Sequence, residues 1–248
     1  MPRRRVGRPR ANPNAVSDNP SEDILDAAAS LFCSIGYSLT TTRQIADAAG
    51  LRQGSLFHYF ARKEDILAQL LDRTVEPALQ FLSWLGRVDA EPDVALATLV
   101  RADVANLCSL PHNLGTLLLF PESRGDRFQA YWRRRARLRT GYRAIVRAGA
   151  AAGHLETDDV GLATDLIFGL VESVITWYPS STGRAPEEIG VSMAEMVLRA
   201  LLPRRDRMAR VLARSDELLL RAAAEGRASP APPRPPRSRS GRSPRARS

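Results

Sequence analysis

The stretch from Thr41 to Lys63, TTRQIADAAGLRQGSLFHYFARK, admits little besides two short helices joined by a tight turn. Thr41 followed three residues later by Gln44 is a capping box, in which side chain and backbone satisfy each other's free groups. Ile45, Ala46 and Ala49 fall on one face at helical spacing. Gly50 stands where a left-handed residue closes a helix, because it carries no Cβ to clash there. Leu51 is expected to turn back into the core. In the next helix Leu56 and Phe60, at i and i+4, are expected to bury, with Gln53, Ser55 and His58 outward. Gly54 is expected to relieve crowding between the helices. A helix showing small polar groups at its N-terminal end suits a DNA major groove.

The preceding segment reads as another helix. Ser21 is placed to cap it, Glu22 and Asp23 suit the positive end of its dipole, and Ile24, Ala28, Leu31, Phe32 and Ile35 form an apolar stripe closed by Gly36. With Phe32, Gly36 and Tyr37 in the same register, residues 21–67 resemble the DNA-binding domain of the TetR family of transcriptional regulators. The link WYPSSTGRAPEEI is similar to that of actinobacterial members.

The resemblance implies roles for particular side chains. Thr42 and Arg43 match residues that grip phosphate, with Arg43 within reach of a base edge. Gln53 and Ser55 stand where the family reads bases, and Gln can pair with adenine N6 and N7. Arg52 suits either guanine O6 and N7 or a phosphate. Tyr59 and Lys63 match positions that clamp the backbone, Lys63 at a helix start whose free N–H groups also favour phosphate. Phe57 departs from the family, which places a phosphate-binding Tyr there; His58 is the neighbour able to replace the lost hydroxyl. Ahead of this domain, Gly7-Arg8-Pro9-Arg10 resembles an AT-hook core, and Arg8 and Arg10 would enter a minor groove.

Composition agrees with an all-α chain. No sustained period-2 run of β-branched residues appears, and Ala, Leu and Arg dominate. The chain has 248 residues and a net charge of +9, but the charge is unevenly placed. Residues 1–20 hold five Arg against one Asp, residues 227–248 hold seven Arg and no acid, and the body between carries −2. Both ends are poor in apolar residues and are expected to be disordered. The expected layout is a basic arm (1–20), a helix-turn-helix domain (21–80, motif 41–60), a helical ligand-binding and dimerisation domain (81–225) and a Pro/Arg/Ser tail (226–248).

Helical patterns run over 93–109, 126–152, 159–178, 187–202 and 204–224, and Pro77 is expected to break or kink the helix that leaves the DNA-binding domain. Leu162, Leu166, Ile167, Leu170, Val171, Val174 and Ile175 form one broad apolar face, and Ile189, Met193, Met196, Val197 and Leu201 a second. Asp165 and Glu172 argue against a membrane span. By resemblance the two helices dimerise, and a palindromic operator follows from the two-fold axis. Phe81, Trp84, Leu117, Phe120, Phe128, Trp132, Tyr142 and Phe168 are candidate walls for an effector pocket; the run Arg133, Arg134, Arg135, Arg137 and Arg139 could meet an anion, though most of it should be solvated.

No catalytic, phosphate-loop or metal-spacing motif is present, and Cys33, Cys108, His58, His112 and His154 are scattered. No enzyme activity, cofactor or metal is expected. Without an apolar leader after Met1, the expected compartment is the cytoplasm. The resemblance thus implies a ligand-responsive dimeric repressor, released from its operator by a small molecule. The alternative is a sequence-neutral nucleic-acid binder driven by the Arg-rich ends, whose affinity would fall steeply with salt.

Overall fold

The computed structural model describes residues 19–178 and 183–227. The arm with Arg8 and Arg10, and the tail beyond residue 227, lie outside the described residues.

Four helices build the N-terminal part: α1 (Pro20–Ile35), α2 (Thr42–Ala48), α3 (Gln53–Leu56) and α4 (Lys63–Leu85). Ile24, Leu25, Ala28, Phe32, Ile45, Ala46, Leu56, Ile66, Leu67 and Leu70 form its buried core. Helix α1 begins two residues earlier than expected. Asn19 takes the cap position and Pro20 the first helical position, where its preset φ and missing N–H cost nothing, so Ser21 lies inside the first turn. The apolar stripe ends at Phe32, since Ile35 is 42% exposed. Pro77 does not break α4, which runs unbroken to Leu85. Buried Thr74, Val75, Ala78 and Phe81 on either side hold the helix through a residue that would interrupt an isolated one.

The larger part is a helical bundle around α5 (Pro92–Ser109). This helix is buried on nearly all sides, including Asp93, Thr98, Asp103 and Asn106, and packs against α4, α6 (Gln129–Ala151), α9 (Pro186–Leu201) and α10 (Met208–Ala224). Gly190 lets α9 lie close: a Cβ there would sit 3.0 Å from the Arg101 carbonyl oxygen. Ion pairs hold α10 in place, with Arg101 2.5 Å from Asp216 and Arg207 2.9 Å from Asp93.

Two expected helices are divided. The 126–152 pattern opens with a 3-10 turn, Asp126–Phe128, before α6, and the 159–178 pattern breaks at Ser173 into α7 (Val160–Glu172) and α8 (Val174–Trp177). The Ser173 hydroxyl donates to the Leu170 carbonyl, a local bond that competes with the helical ladder. By length and apolarity Val160–Trp177 could cross a membrane. In the fold its Ile167, Phe168, Val171 and Val174 are core residues, while Asp165 and Glu172 pair with Arg139 and Arg135.

Between α5 and α6 the chain runs through 3-10 turns, Pro111–Leu119 and Pro121–Arg124. His112 and Asn113 are left-handed there, with φ of 56° and 53°. Two consecutive non-glycine residues in that region store strain of about 1–2 kcal/mol each, held only by surrounding contacts.

Candidate nucleic-acid interface and regulatory pocket

The helix-turn-helix is built as its sequence predicts. The Gln44 amide donates to Thr41 Oγ1 at 3.2 Å, and the Thr41 amide donates to Gln44 Oε1 at 2.8 Å, completing the capping box. Gly50 takes φ 69°, and the Leu51 amide then reaches back to the Ala46 carbonyl at 2.8 Å, closing the turn in Schellman fashion. Leu56 and Phe60 are buried, whereas Arg52, Gln53, Phe57, His58 and Tyr59 are exposed and Ser55 is half-buried. Regular α-helix stops at Leu56, and Phe57 to Tyr59 continue as a turn. Gly54 relieves no crowding: a Cβ there would meet nothing within 4 Å. Its bareness matters only toward whatever docks on the exposed side.

Thr42, Arg43 and Gln53 share one outward surface. Gln53 Nε2 donates to Thr42 Oγ1 at 3.0 Å, and Arg43 stands 80% exposed with Asp47 3.9 Å away. At that distance and exposure the ion pair contributes little, so the guanidinium is available. Lys63 sits differently. Its Nζ donates to the Tyr37 and Thr40 carbonyls, each at 2.8 Å, and lies 4.1 Å from the Tyr37 ring centroid. Partial burial lowers its pKa. The ammonium therefore ties the start of α4 to the loop between α1 and α2, leaving at most one N–H for a phosphate. This is the one Lys in a chain with 35 Arg.

The regulatory part holds a small pocket, with room for little more than a water, lined by Thr74, Val75, Asp103, Leu107, Leu118, Tyr131, Arg135, Leu138, Phe168 and Glu172. Of the eight aromatic and aliphatic walls expected from sequence, only Phe168 lines it. Tyr142 stands behind it, its hydroxyl donating to Asp103 Oδ2 at 3.0 Å, while the Trp84 indole donates to Glu225 and the Trp132 indole to the Ser123 carbonyl. Asp103 gives no periodic signal, because an isolated buried Asp in the middle of an Ala/Leu/Val helix makes no pattern.

The arginine run divides by helical phase. Arg133 and Arg137 are exposed, Arg134 pairs with Asp72, Arg139 with Asp165, and Arg135 turns inward. Arg135 grips Glu172 through two hydrogen bonds, the Nε one at 2.6 Å, with its guanidinium 5.0 Å from the Phe168 ring centroid. Elsewhere, Glu91, Asp93 and His154 bring possible metal-ligand atoms within 4.8 Å of one another. Arg207 already sits 2.9 Å from Asp93 and 3.1 Å from Glu91, so the group is an ion-pair network that docks α10.

The pocket and the DNA-binding part are joined by the 3-10 segment Pro111–Leu119. Leu118 lines the pocket, while His112 Nε2 lies 3.0 Å from Asp26 Oδ1 on α1. The hydrogen bond to Asp26 raises the His112 pKa. Ser38, in the loop after α1, bonds Glu122 of the next 3-10 turn.

The apolar residues expected to dimerise also divide. Ile189, Met193, Val197 and Leu201 are buried within the subunit, where α9 packs against α5. Leu162, Leu166 and Met196 are 58%, 66% and 58% exposed.

A helix-turn-helix head joined to a helical body with its own pocket defines a ligand-responsive DNA-binding regulator of transcription. Residues 24–70 match the family described as "Bacterial regulatory proteins, tetR family", and residues 95–201 match the "Tetracyclin repressor-like, C-terminal domain". The chain belongs to the TetR family. AmtR of Mycobacterium smegmatis, a solved structure, is 39% identical, covers 89% of this chain and 99% of its own, and superposes with a TM-score of 0.71. The transcriptional repressor KstR2 of Mycolicibacterium smegmatis is 26% identical over 200 residues, 73% of this chain and 93% of the relative. AibR, solved with isovaleryl coenzyme A and operator DNA, shares the fold at 20% identity and a TM-score of 0.61, covering 72% of this chain and 97% of its own.

Proposed function

We propose that the chain acts in the cytoplasm as a homodimeric repressor, held at a palindromic operator and released by a small molecule bound in the pocket. The observation that carries this reading is the exposed surface of Arg43, Arg52 and Gln53, with half-buried Thr42 bonded to Gln53, over a fully packed helix-turn-helix. Gln53 and Ser55 read base edges, Arg52 and Arg43 take guanine or phosphate, and Tyr59 and His58 flank them on the backbone side. The exposed Leu162, Leu166 and Met196 support a dimer through α7 and α9, and Arg8 and Arg10 supply a minor-groove arm. In this reading residues 21–80 carry DNA binding and 81–225 carry dimerisation and most of the effector pocket, to which Thr74 and Val75 of α4 also contribute. Support for a ligand-released repressor comes from the repressor KstR2 and from AibR, whose structure holds both an acyl-coenzyme A and operator DNA.

Selection of bound sequences from a random DNA pool tests this. One palindrome is expected to be preferred by about 10³-fold over random duplex. Gln53→Ala should collapse that preference, whereas truncation after residue 227 should leave it standing. Enrichment of no sequence, with affinity lost on the truncation, would instead establish the tail-driven binder. Phe57→Tyr, which restores a phosphate donor on an exposed site, is expected to tighten operator binding about fivefold, the worth of one neutral hydrogen bond.

Release requires that the effector favour a head spacing the operator does not. The strained segment at His112 and Asn113 is one connection, because it touches α1 at one end and the pocket at the other; α4, which brings Thr74 and Val75 to the pocket, is a second. Gly115→Ala probes the first: the added Cβ would lie 2.5 Å from Ile175 Cγ2, on a stiff branched side chain, forcing the segment off α8. A destabilisation of about 1–3 kcal/mol in thermal unfolding is expected, together with a weakened effector response at unchanged operator sequence preference.

A further inference from the structure

We propose that the pocket recognises its effector through a cationic nitrogen, an ammonium or amidinium docked on Asp103, with an apolar body against Val75, Leu107, Leu118 and Phe168. The proposal rests on the pocket's being the effector site and specifies the chemistry of that effector.

Three charged side chains line the pocket, and two of them are already matched. Arg135 gives Nε and one terminal nitrogen to the two oxygens of Glu172, so an incoming anion would have to displace a tethered, bidentate carboxylate. Asp103 is the group left over. It is 3% exposed, and Oδ2 accepts the Tyr142 hydroxyl. Among the described residues no Arg, Lys or His nitrogen lies within 4.0 Å of its carboxylate, although one face of the side chain lines the cavity. With all three ionised the pocket carries one negative charge, which a monocation neutralises.

The surroundings favour the same choice. Phe168 and Tyr131 line the cavity, and Phe168 already carries the Arg135 guanidinium 5.0 Å from its ring centroid, so this is an aromatic wall on which a cation is stabilised. The cavity as it stands, about 20 Å³, has room for little more than a water, so an amine with an apolar body enters only as the walls part.

Asp103 also has a proton to give up. Burial pushes its pKa up to about 7, with Glu172 raising it and Tyr142 and Arg135 opposing. The groups facing it are Tyr131, Arg135 and Tyr142 from α6 and Glu172 from α7. Burial takes Tyr131 to about 12 and raises Tyr142 well above its ordinary value, and Arg135 stays charged, so these do not titrate near neutrality. Docking of the cation then expels one proton from Asp103 to solvent below pH 7. Affinity is expected to rise about tenfold per pH unit up to 7 and to level off above it.

The test uses the full-length protein with three probes that share a 3-methylbutyl body: 3-methylbutylammonium, 4-methylpentanoate and 3-methylbutan-1-ol. Melting temperature and release of the selected operator are read between pH 5.5 and 8.5. The ammonium is expected to raise Tm by about 3–5 °C at ten times its Kd and to release the operator, with the stated pH profile. The carboxylate and the alcohol should do neither. Asp103→Asn should abolish the ammonium effect while still binding operator, and Glu172→Gln, which frees Arg135, should bring in a response to the carboxylate. Binding of the carboxylate by the wild-type protein, survival of the ammonium effect in Asp103→Asn, or silence of all three probes each overturns the proposal. If the Asn variant fails to fold, a flat pH profile in the wild-type protein overturns it equally. Operator binding by the wild-type protein keeps the regulator reading intact through all of these outcomes, and its absence would sink that reading separately.

Discussion

Asp103→Asn is expected to raise the stability of the ligand-free protein by about 2–4 kcal/mol at pH 8, with the gain shrinking toward zero near pH 4. The carboxyl is fully buried, and its folded pKa of about 7 lies above the ordinary carboxylate value of 3.8. A group raised in this way contributes its full stability below the unfolded value and loses it as pH rises through the folded one. Between those limits the unfolded chain has released the proton and the folded chain still holds it, so stability declines with pH. Asn removes the titration, keeps the shape and still accepts from Tyr142. The difference between variant and wild-type unfolding curves, measured in urea at several pH values, isolates this residue from other carboxylates. A difference that does not change with pH would refute the argument. A buried carboxyl that weakens its own fold is a feature retained for something other than stability.

Lys63→Met should cost about 2 kcal/mol of stability, since it deletes two charge-assisted bonds to backbone carbonyls at a half-buried site. Arg is a poor replacement here. One tetrahedral ammonium converges on the Tyr37 and Thr40 carbonyls beneath an aromatic ring, whereas a planar fork spreads its donors apart. Lys63→Arg is therefore expected to recover less than half of the loss, as judged by thermal unfolding. The same variants separate two roles for this residue. If Lys63 serves mainly to fix the head, Lys63→Arg will lower the melting temperature while operator affinity, measured well below it, stays within about twofold. If it serves mainly as a phosphate contact, the retained charge will preserve affinity, and Lys63→Met will reduce the salt dependence by about one counterion.

The DNA-binding head was legible because its signals are local. The capping pair Thr41 and Gln44, the left-handed Gly50, and the i, i+4 pair Leu56 and Phe60 each declare a geometry within a few residues. The body was legible only as helices. Pro77 seemed a break because propensity sees the missing donor and not the packing on either side. Gly54 seemed a packing residue because sequence does not say which side of a short helix is empty. The pocket was least legible of all. Its polar members, Thr74, Asp103, Tyr131, Arg135 and Glu172, come from four helices and meet only through tertiary packing. The division of an apolar stripe between Met193, inside, and Met196, outside, likewise depends on where α5 lies.

The lone lysine has a chemical consequence. Apart from the chain's own N-terminus, Lys63 carries the one primary amine available to an acylating reagent in a chain of 248 residues. That amine lies at the junction of α1, α2 and α4, with two of its three protons engaged by the Tyr37 and Thr40 carbonyls. A single mass increment on one peptide therefore reports how often that junction opens, and comparing its rate with and without operator would follow the head's motion with no label introduced by mutation.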